Sequence, residues 1–207
     1  MAGDSASVDI WRSLLGLVLT SLVVMGSPGP STMSVTAVGA AFGFRRSIGY
    51  TSGLVLGTSG VLLAVAAGVV AVLLSVPLLA PVLILASAAY MVYLAYKIAT
   101  APPLSRQDPG ARVPSLAAGF LLAIANPKAY VAITAVFASS ALGLASPLAE
   151  AALKIATLAL MIVLIHLCWL LAGASFARLL SRPLISRIAN IAFAAILVAT
   201  TAIAVLR

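Results

Sequence analysis

Six long runs of apolar residues occupy most of the chain. They cover residues 13–44, 48–75, 78–96, 116–144, 148–174 and 187–206. About 20 apolar residues suffice for a helix to cross the ~30 Å hydrocarbon core of a bilayer. Only 8% of the residues are charged, against about a quarter in a soluble domain, so the chain cannot build a water-facing surface. The sequence therefore predicts an all-α polytopic membrane protein, with about six transmembrane helices in a single domain over residues 1–207.

Proline residues interrupt the first and the fourth of these runs. Pro28 and Pro30 lie near the middle of the first run, and Pro127 lies near the middle of the fourth. Proline removes a backbone donor from a helix and clashes with the carbonyl group four residues earlier. As one straight helix, the first run would also be about 48 Å long. We therefore expect both of these helices to be broken at their prolines.

The two broken runs begin two halves of similar plan. Repeat one covers about residues 10–97, repeat two covers about residues 116–207, and the proline-rich linker 98–115 joins them. Each half contains three crossings, so the second half must enter the membrane from the opposite side. This predicts two inverted three-helix repeats, an organisation found in many secondary transporters, which bind their substrates near the membrane midplane between discontinuous helices.

Basic residues collect in the gaps between the runs. The chain has 12 Lys and Arg against 4 Asp and Glu. Nucleic-acid binding would need a basic stripe interleaved with aromatic residues, so we expect no nucleic-acid partner. The loops 45–46, 97–115 and 178–187 hold eight of the 12 basic residues, which predicts that they are cytoplasmic loops of a plasma-membrane protein. The N-terminus lies outside if the first run crosses completely, and inside if that run is re-entrant.

The breaks should expose polar backbone groups within the membrane. The prolines cannot donate to the carbonyl groups of Val24, Gly26 and Ala123, which we expect to be free acceptors for an ammonium group or a cation. New helices should begin near Ser31 and Ala129. Their first amides would be unpaired donors at the positive end of a helix dipole, which suits a carboxylate. Donors and acceptors together match a zwitterion such as an amino acid.

The candidate substrate-binding residues therefore flank the two breaks. They are Ser27, Pro28, Gly29, Pro30, Ser31, Thr32 and Ser34 at the first break, Asn126, Pro127 and Lys128 at the second, and Tyr90 in the third run. Ser31 has an alternative role as the N-cap of the second half-helix. Tyr90 has an alternative role as part of a belt of tyrosines at the membrane interface. Asn126 could either satisfy freed backbone groups or contact substrate.

Lys128 and His166 are the ionisable candidates inside the runs. A lysine deep in a membrane costs about 2.5 kcal/mol or more, and no acidic residue lies in the interior of a run, away from its ends, to neutralise Lys128. An anionic ligand is a natural partner, although the side chain could instead reach an interface. His166 is the coupling candidate because histidine titrates near neutral pH. The alternative is a neutral, hydrogen-bonded histidine between helices.

Other sequence patterns indicate helix packing and do not indicate a binding or catalytic site. Glu150 and Lys154 have the spacing of a helix-end ion pair. Glycines at positions 49, 53, 57 and 60 of the second run allow close helix packing, either within the chain or at a homodimer seam. The sequence contains no acid pair, no nucleotide-binding loop and no cluster of metal ligands. We therefore predict a protein that is not an enzyme and that has no cofactor and no metal site.

The motifs together resemble the LysE/RhtB family of lysine and homoserine/threonine exporters. The matching stretches are residues 27–30, the glycine-rich start of the second run, residues 88–94, and residues 119–129 with their Asn-Pro-Lys-Ala sequence. The resemblance implies a small, oligomeric, proton-driven exporter of amino acids or related metabolites in a prokaryotic inner membrane. The chain departs from the family pattern at Ser87 and Ala95, where glycine is frequent, and lacks a proline soon after residue 129.

The substrate that these features favour is a neutral amino acid. Acidic residues near the first or second run are frequent in exporters of basic amino acids, and this chain has none within either run. The resulting hypothesis is that the protein, embedded in the lipid bilayer, exports a small amino acid or a related zwitterionic metabolite by alternating access. The alternative is a gradient-driven uniporter or channel for another small solute or cation, and a third class is a membrane scaffold that transports nothing.

Overall fold

The computed structural model consists of helices. It describes residues 2–68, 112–176 and 182–205, and also positions 75, 81, 82, 85, 88, 89, 92, 93, 95, 96, 99 and 100. The helices are α1 (Ala2–Val24), α2 (Pro30–Ala66), α3 (Leu116–Ile124), α4 (Pro127–Ser139), α5 (Pro147–Ser175) and α6 (Pro183–Val205). These ranges contain no strand, so the all-α prediction is confirmed for this part of the chain. Much of the third run and of the linker lies outside the described residues.

The chain reverses direction within α2, at Gly43. This glycine has φ 76° and ψ 168°, a conformation outside the helical region and open mainly to glycine. The Ser34 and Tyr50 hydroxyls, 16 positions apart, are hydrogen-bonded at 2.5 Å, although a straight helix would separate these residues by about 24 Å. The two arms, residues 30–42 and residues 44–66, therefore pack side by side as a hairpin. The reversal lies just before the loop predicted at residues 45–46, where both arginines are exposed.

The predicted break in the fourth run is present as a bend between α3 and α4. The axes of these helices differ by 61° across Ala125 and Asn126. From a rise of 1.5 Å per residue, the bent pair extends about 28 Å along its mean direction, which is close to the thickness of the hydrocarbon core. The first run is broken in the same way, between the end of α1 at Val24 and the start of α2 at Pro30.

Length and hydropathy identify the candidate membrane spans. Among the described residues, α2 and α5 are each long and apolar enough to cross a bilayer, and the bent pair α3–α4 is a third span if it counts as one. Large apolar side chains lie exposed on the outside of the molecule, including Leu148 at 80% and Val23 at 73% exposure. Lipid is the environment in which such a surface is stable. The chain is an integral membrane protein.

Close backbone contacts hold α2 against α3 and α5. A Cβ atom added at Gly53 would overlap the carbonyl group of Leu116, and one added at Gly57 would lie 2.7 Å from the carbonyl oxygen of Phe120. On the other arm, a Cβ atom at Gly173 of α5 would overlap the carbonyl group of Thr36. The small residues of the second run therefore pack within the chain at Gly53 and Gly57, as one of the two interpretations predicts.

An ion pair closes the loop between α4 and α5. The Lys154 ammonium lies 3.0 Å from the Glu150 carboxylate, as their spacing predicts. The second carboxylate oxygen of Glu150 accepts from the backbone N–H of Leu144 at 3.3 Å, and Lys154 donates to the carbonyl oxygen of Phe137 at 3.5 Å. These contacts hold the loop to α5.

Candidate functional site

The two breaks of the chain meet at one small cavity between α2, α4 and α5. Its volume is about 40 Å³, enough for about three water molecules. The lining residues are Met25, Gly29, Ser31, Thr32, Thr58, Asn126, Lys128, Ala129, Ala132, Ile133, Ile162, Ile165 and His166. The structure thus brings together six of the residues that the sequence singles out, namely Gly29, Ser31, Thr32, Asn126, Lys128 and His166.

Asn126 connects the second break to the first. Its amide Nδ2 donates to the hydroxyl oxygen of Ser31 at 2.9 Å, and both side chains are buried. Its Oδ1 accepts from the backbone N–H of Lys128 at 3.1 Å, which caps α4. Only the oxygen can accept from an N–H, so this cap fixes the orientation of the amide. Asn126 therefore satisfies the backbone of its own break and also lines the cavity.

Lys128 crosses from the second break to the first. Its ammonium donates to the carbonyl oxygen of Ser27 and, at 3.1 Å, to that of Pro28. The side chain passes so close to Gly29 that an added Cβ atom there would lie 2.5 Å from its Cδ. An ammonium group has three N–H donors, so one remains for the cavity, where a carboxylate could accept it.

The helix starts at the breaks differ from the sequence-based expectation. Gly29, and not Ser31, is the N-cap of α2, and its N–H donates to the Thr32 hydroxyl at 2.8 Å. The alternative role of Ser31 as the N-cap is therefore wrong. At α4 the predicted unpaired amides are also wrong, because Asn126 accepts from the N–H groups of both Lys128 and Ala129. The start of α4 is thus closed by its own cap.

The three carbonyl groups predicted to be free all have donors. The carbonyl oxygen of Val24 accepts from the hydroxyl of Ser27 at 2.9 Å, and that of Ala123 accepts from the backbone N–H of Asn126 at 3.2 Å. The indole Nε1 of Trp169, on α5, donates to the carbonyl oxygen of Gly26 at 3.0 Å. Buried acceptors are costly to leave unpaired, and nearby side chains satisfy them. This prediction is wrong.

His166 presents one unpartnered nitrogen at the cavity. Its Nδ1 lies 2.8 Å from the carbonyl oxygen of Ile162. A carbonyl can only accept, so Nδ1 carries a hydrogen. The other ring nitrogen, Nε2, is buried and has no hydrogen-bond partner among the described residues. In the neutral ring, Nε2 is therefore an acceptor that awaits a donor.

Thr58 is the residue that the sequence-based reasoning overlooks. It lies on the second arm of α2, its hydroxyl is buried, and it has no hydrogen-bond partner within the described part of the chain. It lines the same cavity as His166. A threonine directly after Gly57 in an apolar helix is an available signal, but periodicity alone does not distinguish it from a surface position.

The other candidates that the structure describes lie outside the cavity wall. The Ser34 hydroxyl is bonded to Tyr50, while Ser27 and Pro28 contribute only their carbonyl groups to Lys128. Pro30 and Pro127 are the first residues of α2 and α4. Tyr90 lies outside the described residues.

A larger groove between α2 and α5 lacks polar recognition groups. Its volume is about 300 Å³. It is lined by Ile48, Thr51, Ser52, Val55, Leu56, Val163 and Leu167. The hydroxyl of Thr51 already donates to the carbonyl oxygen of Ser47 at 2.9 Å, and none of the unpartnered buried polar atoms found in the described chain belongs to a lining residue. The groove therefore suits apolar contacts, and the smaller cavity is the candidate site for a polar solute.

The cavity can bind a molecule that carries both a donor and an acceptor. Lys128 supplies a positive charge and a free donor, whereas His166 Nε2 and the Thr58 hydroxyl supply acceptors. Among the described residues, no group of His, Cys, Asp and Glu is placed to hold a metal ion. The chemistry of the wall is thus that of polar recognition.

Comparison with known proteins gives one match. The family model described as LysE type translocator matches residues 22–206, which include both breaks and all of the lining residues. No curated protein and no solved structure matches the chain.

Proposed function

Because the chain belongs to the LysE type translocator family, we propose that it exports a small amino acid or a related zwitterionic metabolite, with a neutral amino acid favoured. Membership makes the chain a membrane transporter of amino acids or related solutes, and not an enzyme. The export direction, the substrate and an alternating-access mechanism driven by protons are the further content of the proposal.

The observation that carries the proposal is the meeting of both breaks at one cavity, whose largely apolar wall carries a few polar groups of Asn126, Lys128, His166 and Thr58. The hydrogen bond from Asn126 to Ser31 and the contacts of Lys128 with Ser27 and Pro28 hold the two breaks together there. A zwitterion would place its carboxylate at Lys128 and its ammonium group at the acceptors of the opposite wall. Charged groups in a low-dielectric site bind strongly only when both are paired in this way.

The cavity is smaller than the proposed substrate. A volume of about 40 Å³ holds fewer atoms than an amino acid contains. Binding must therefore separate the two breaks, and the contacts that Lys128 makes with the first break are the ones that have to yield. A carboxylate that competes with these carbonyl groups for the ammonium would drive the opening, since a ligand shifts an equilibrium only through its differential affinity.

The proposed architecture is that of two inverted repeats, residues 10–97 and 116–207. Both breaks have the same local plan, in which an extended N-cap residue is followed by proline at the first helical position. The loops 45–46, 97–115 and 178–187 are proposed to face the cytoplasm because of their basic residues. Exposure of Arg45 and Arg46 beside the reversal at Gly43 agrees with such a loop.

The experiment that tests the proposal is an efflux assay on proteoliposomes preloaded with a panel of labelled amino acids. We expect efflux of at least one neutral amino acid, accelerated when the outside is made acidic. Lys128→Met should reduce this efflux about 10-fold or more, since a hydrogen bond to a charged group is worth about 1.5–3 kcal/mol. An absence of efflux for every amino acid tested would refute export, and efflux that ignores the pH gradient would indicate a uniporter.

Lys154 provides the matched control for Lys128. Lys154 is buried, whereas Lys128 is partly buried, but the Lys154 ammonium is paired with Glu150 and the residue does not line the cavity. Lys154→Met should lower stability while leaving the order of preference among amino acids unchanged. If the two variants had the same effect on that order, the carboxylate-binding role of Lys128 would be wrong.

A further inference from the structure

Two buried polar atoms of the cavity wall have no hydrogen-bond partner among the described residues. They are Nε2 of His166 and the hydroxyl oxygen of Thr58, and they come from different helices, α5 and α2. An unsatisfied buried polar atom costs about 1–3 kcal/mol, so a wall that carries two of them is built for something that supplies donors. Water can do so in the empty cavity, which has room for it.

The hydrogen bond to Ile162 determines what His166 can accept. Because Nδ1 donates to that carbonyl oxygen, the neutral ring has its only lone pair on Nε2. This lone pair can take either a proton or a hydrogen bond from a donor such as an ammonium group. It cannot do both at once.

On the basis of the proposed export function, we propose that His166 Nε2 and the Thr58 hydroxyl bind the ammonium group of the substrate. The coupling proton competes for the same Nε2 lone pair. A protonated His166 expels the ammonium group, and a bound ammonium group excludes the proton. Mutually exclusive occupancy of one atom, at a site exposed alternately to the two sides of the membrane, couples the inward movement of a proton to the outward movement of a substrate.

The surrounding charges reinforce this exclusion. The elements that line the cavity are the first break, both arms of α2, α4 and α5, and the charged residue that they present there is Lys128. The Glu150–Lys154 pair of α5 lies at the start of that helix and outside the cavity wall. A proton on His166 therefore adds a second positive charge to a small, buried space, where like charges repel strongly. When the zwitterion binds to the neutral ring, its carboxylate at Lys128 offsets the charge of that lysine, and its ammonium group occupies Nε2 in place of the proton.

Three substitutions separate the two roles of His166 and Thr58. His166→Gln keeps an acceptor oxygen but cannot bind a proton in the working pH range, whereas His166→Leu removes both functions. Thr58→Val removes only the hydroxyl. The matched control is Thr134→Val, because the Thr134 hydroxyl is also buried without a partner but does not line the cavity.

The experiment uses the full chain in proteoliposomes, with the fastest amino acid of the panel and its 2-hydroxy counterpart as probes; for alanine this counterpart is lactate. The 2-hydroxy acid keeps the carboxylate and loses the ammonium group. We expect the wild type to prefer the amino acid, and we expect Thr58→Val and His166→Leu to reduce the preference about 3-fold to 10-fold or more. His166→Gln should retain most of the preference but lose the acceleration by an acidic exterior.

The outcomes discriminate between this inference and the proposed function. If no amino acid leaves the wild-type vesicles, export itself is refuted. If amino acids do leave, but Thr58→Val and His166→Leu keep the wild-type preference as Thr134→Val does, the ammonium site is wrong and export stands. If His166→Gln still responds fully to the pH gradient, the coupling proton does not bind at Nε2.

Discussion

The hydrogen bond between Asn126 and Ser31 can be tested by its free energy, because it is the buried side-chain contact that joins the two breaks. Asn126→Ala removes this bond and also the cap of α4. Ser31→Ala removes the bond alone. The double variant Asn126→Ala, Ser31→Ala lacks the same bond, which therefore counts only once in its loss of stability. The wild type and the three variants form a double-mutant cycle that isolates the contribution of this bond to the unfolding free energy.

The expected magnitudes follow from the contacts. Loss of an N-cap costs about 1 kcal/mol, and interhelical hydrogen bonds in membrane proteins contribute about 0.6 kcal/mol on average and about 1.7 kcal/mol at most. Ser31→Ala should therefore lower the free energy of unfolding by about 1 kcal/mol, and Asn126→Ala by about 2 kcal/mol. The double variant should lose less than the sum of the two, by about 0.6–1.7 kcal/mol, which is about a 3-fold to 20-fold change in the unfolding constant.

Equilibrium unfolding in mixed micelles measures these differences. The control uses Ser115, which caps α3 by accepting from the N–H of Ala118 at 3.2 Å and has no contact with Asn126. Ser115→Ala combined with Ser31→Ala should be additive within about 0.3–0.5 kcal/mol. If the Asn126 and Ser31 substitutions were equally additive, the bond would not join the breaks in the membrane, and the reasoning from this cavity would be refuted.

Two further contacts predict stability changes with matched controls. Gly119→Ala places a methyl group against a backbone carbonyl of α2 and should lower the unfolding free energy by about 1–3 kcal/mol. In the control Gly60→Ala, the added methyl group lies 3.7 Å from its nearest atom, so the unfolding free energy should change by no more than about 0.5 kcal/mol. Equal losses in the two variants would contradict the close helix contact. Trp169→Phe leaves the carbonyl oxygen of Gly26 without its donor and should lower the unfolding free energy by about 1–3 kcal/mol. The control Trp11→Phe changes a side chain that is 71% exposed and should have little effect on the unfolding free energy.

Much of the candidate site could be predicted from sequence because the relevant signals are local. Proline at residues 28, 30 and 127 interrupts a helix wherever it lies in the fold, so the positions of both breaks follow from the chain itself. Two of the polar residues beside the breaks, Ser31 and Asn126, line the cavity, and their role in binding substrate stays a prediction. Thr58 was not predicted from the sequence, since its position on the cavity wall depends on how α2 packs.

The predictions that failed concern hydrogen-bond partners. Sequence identifies which carbonyl groups lose their helical donor, but the replacement for Gly26 comes from Trp169, 143 positions away. The carbonyl groups that do receive the ammonium of Lys128 belong to Ser27 and Pro28, about one hundred positions earlier in the chain. Such partners are chosen by packing, and a buried acceptor takes the nearest donor that the fold provides.

The sequence by itself determined that this chain is a helical membrane protein with two segments broken at proline. The length of an apolar run, its charge content and the stereochemistry of proline are local properties that do not depend on which helices pack together. Tertiary structure alone decided that the two breaks face one cavity and that Gly43 folds α2 back on itself. It also decided that, within the part of the chain that the structure describes, His166 Nε2 and the Thr58 hydroxyl have no partner there. These features depend on which helices come into contact, and contacts between residues distant in sequence arise only when the helices pack.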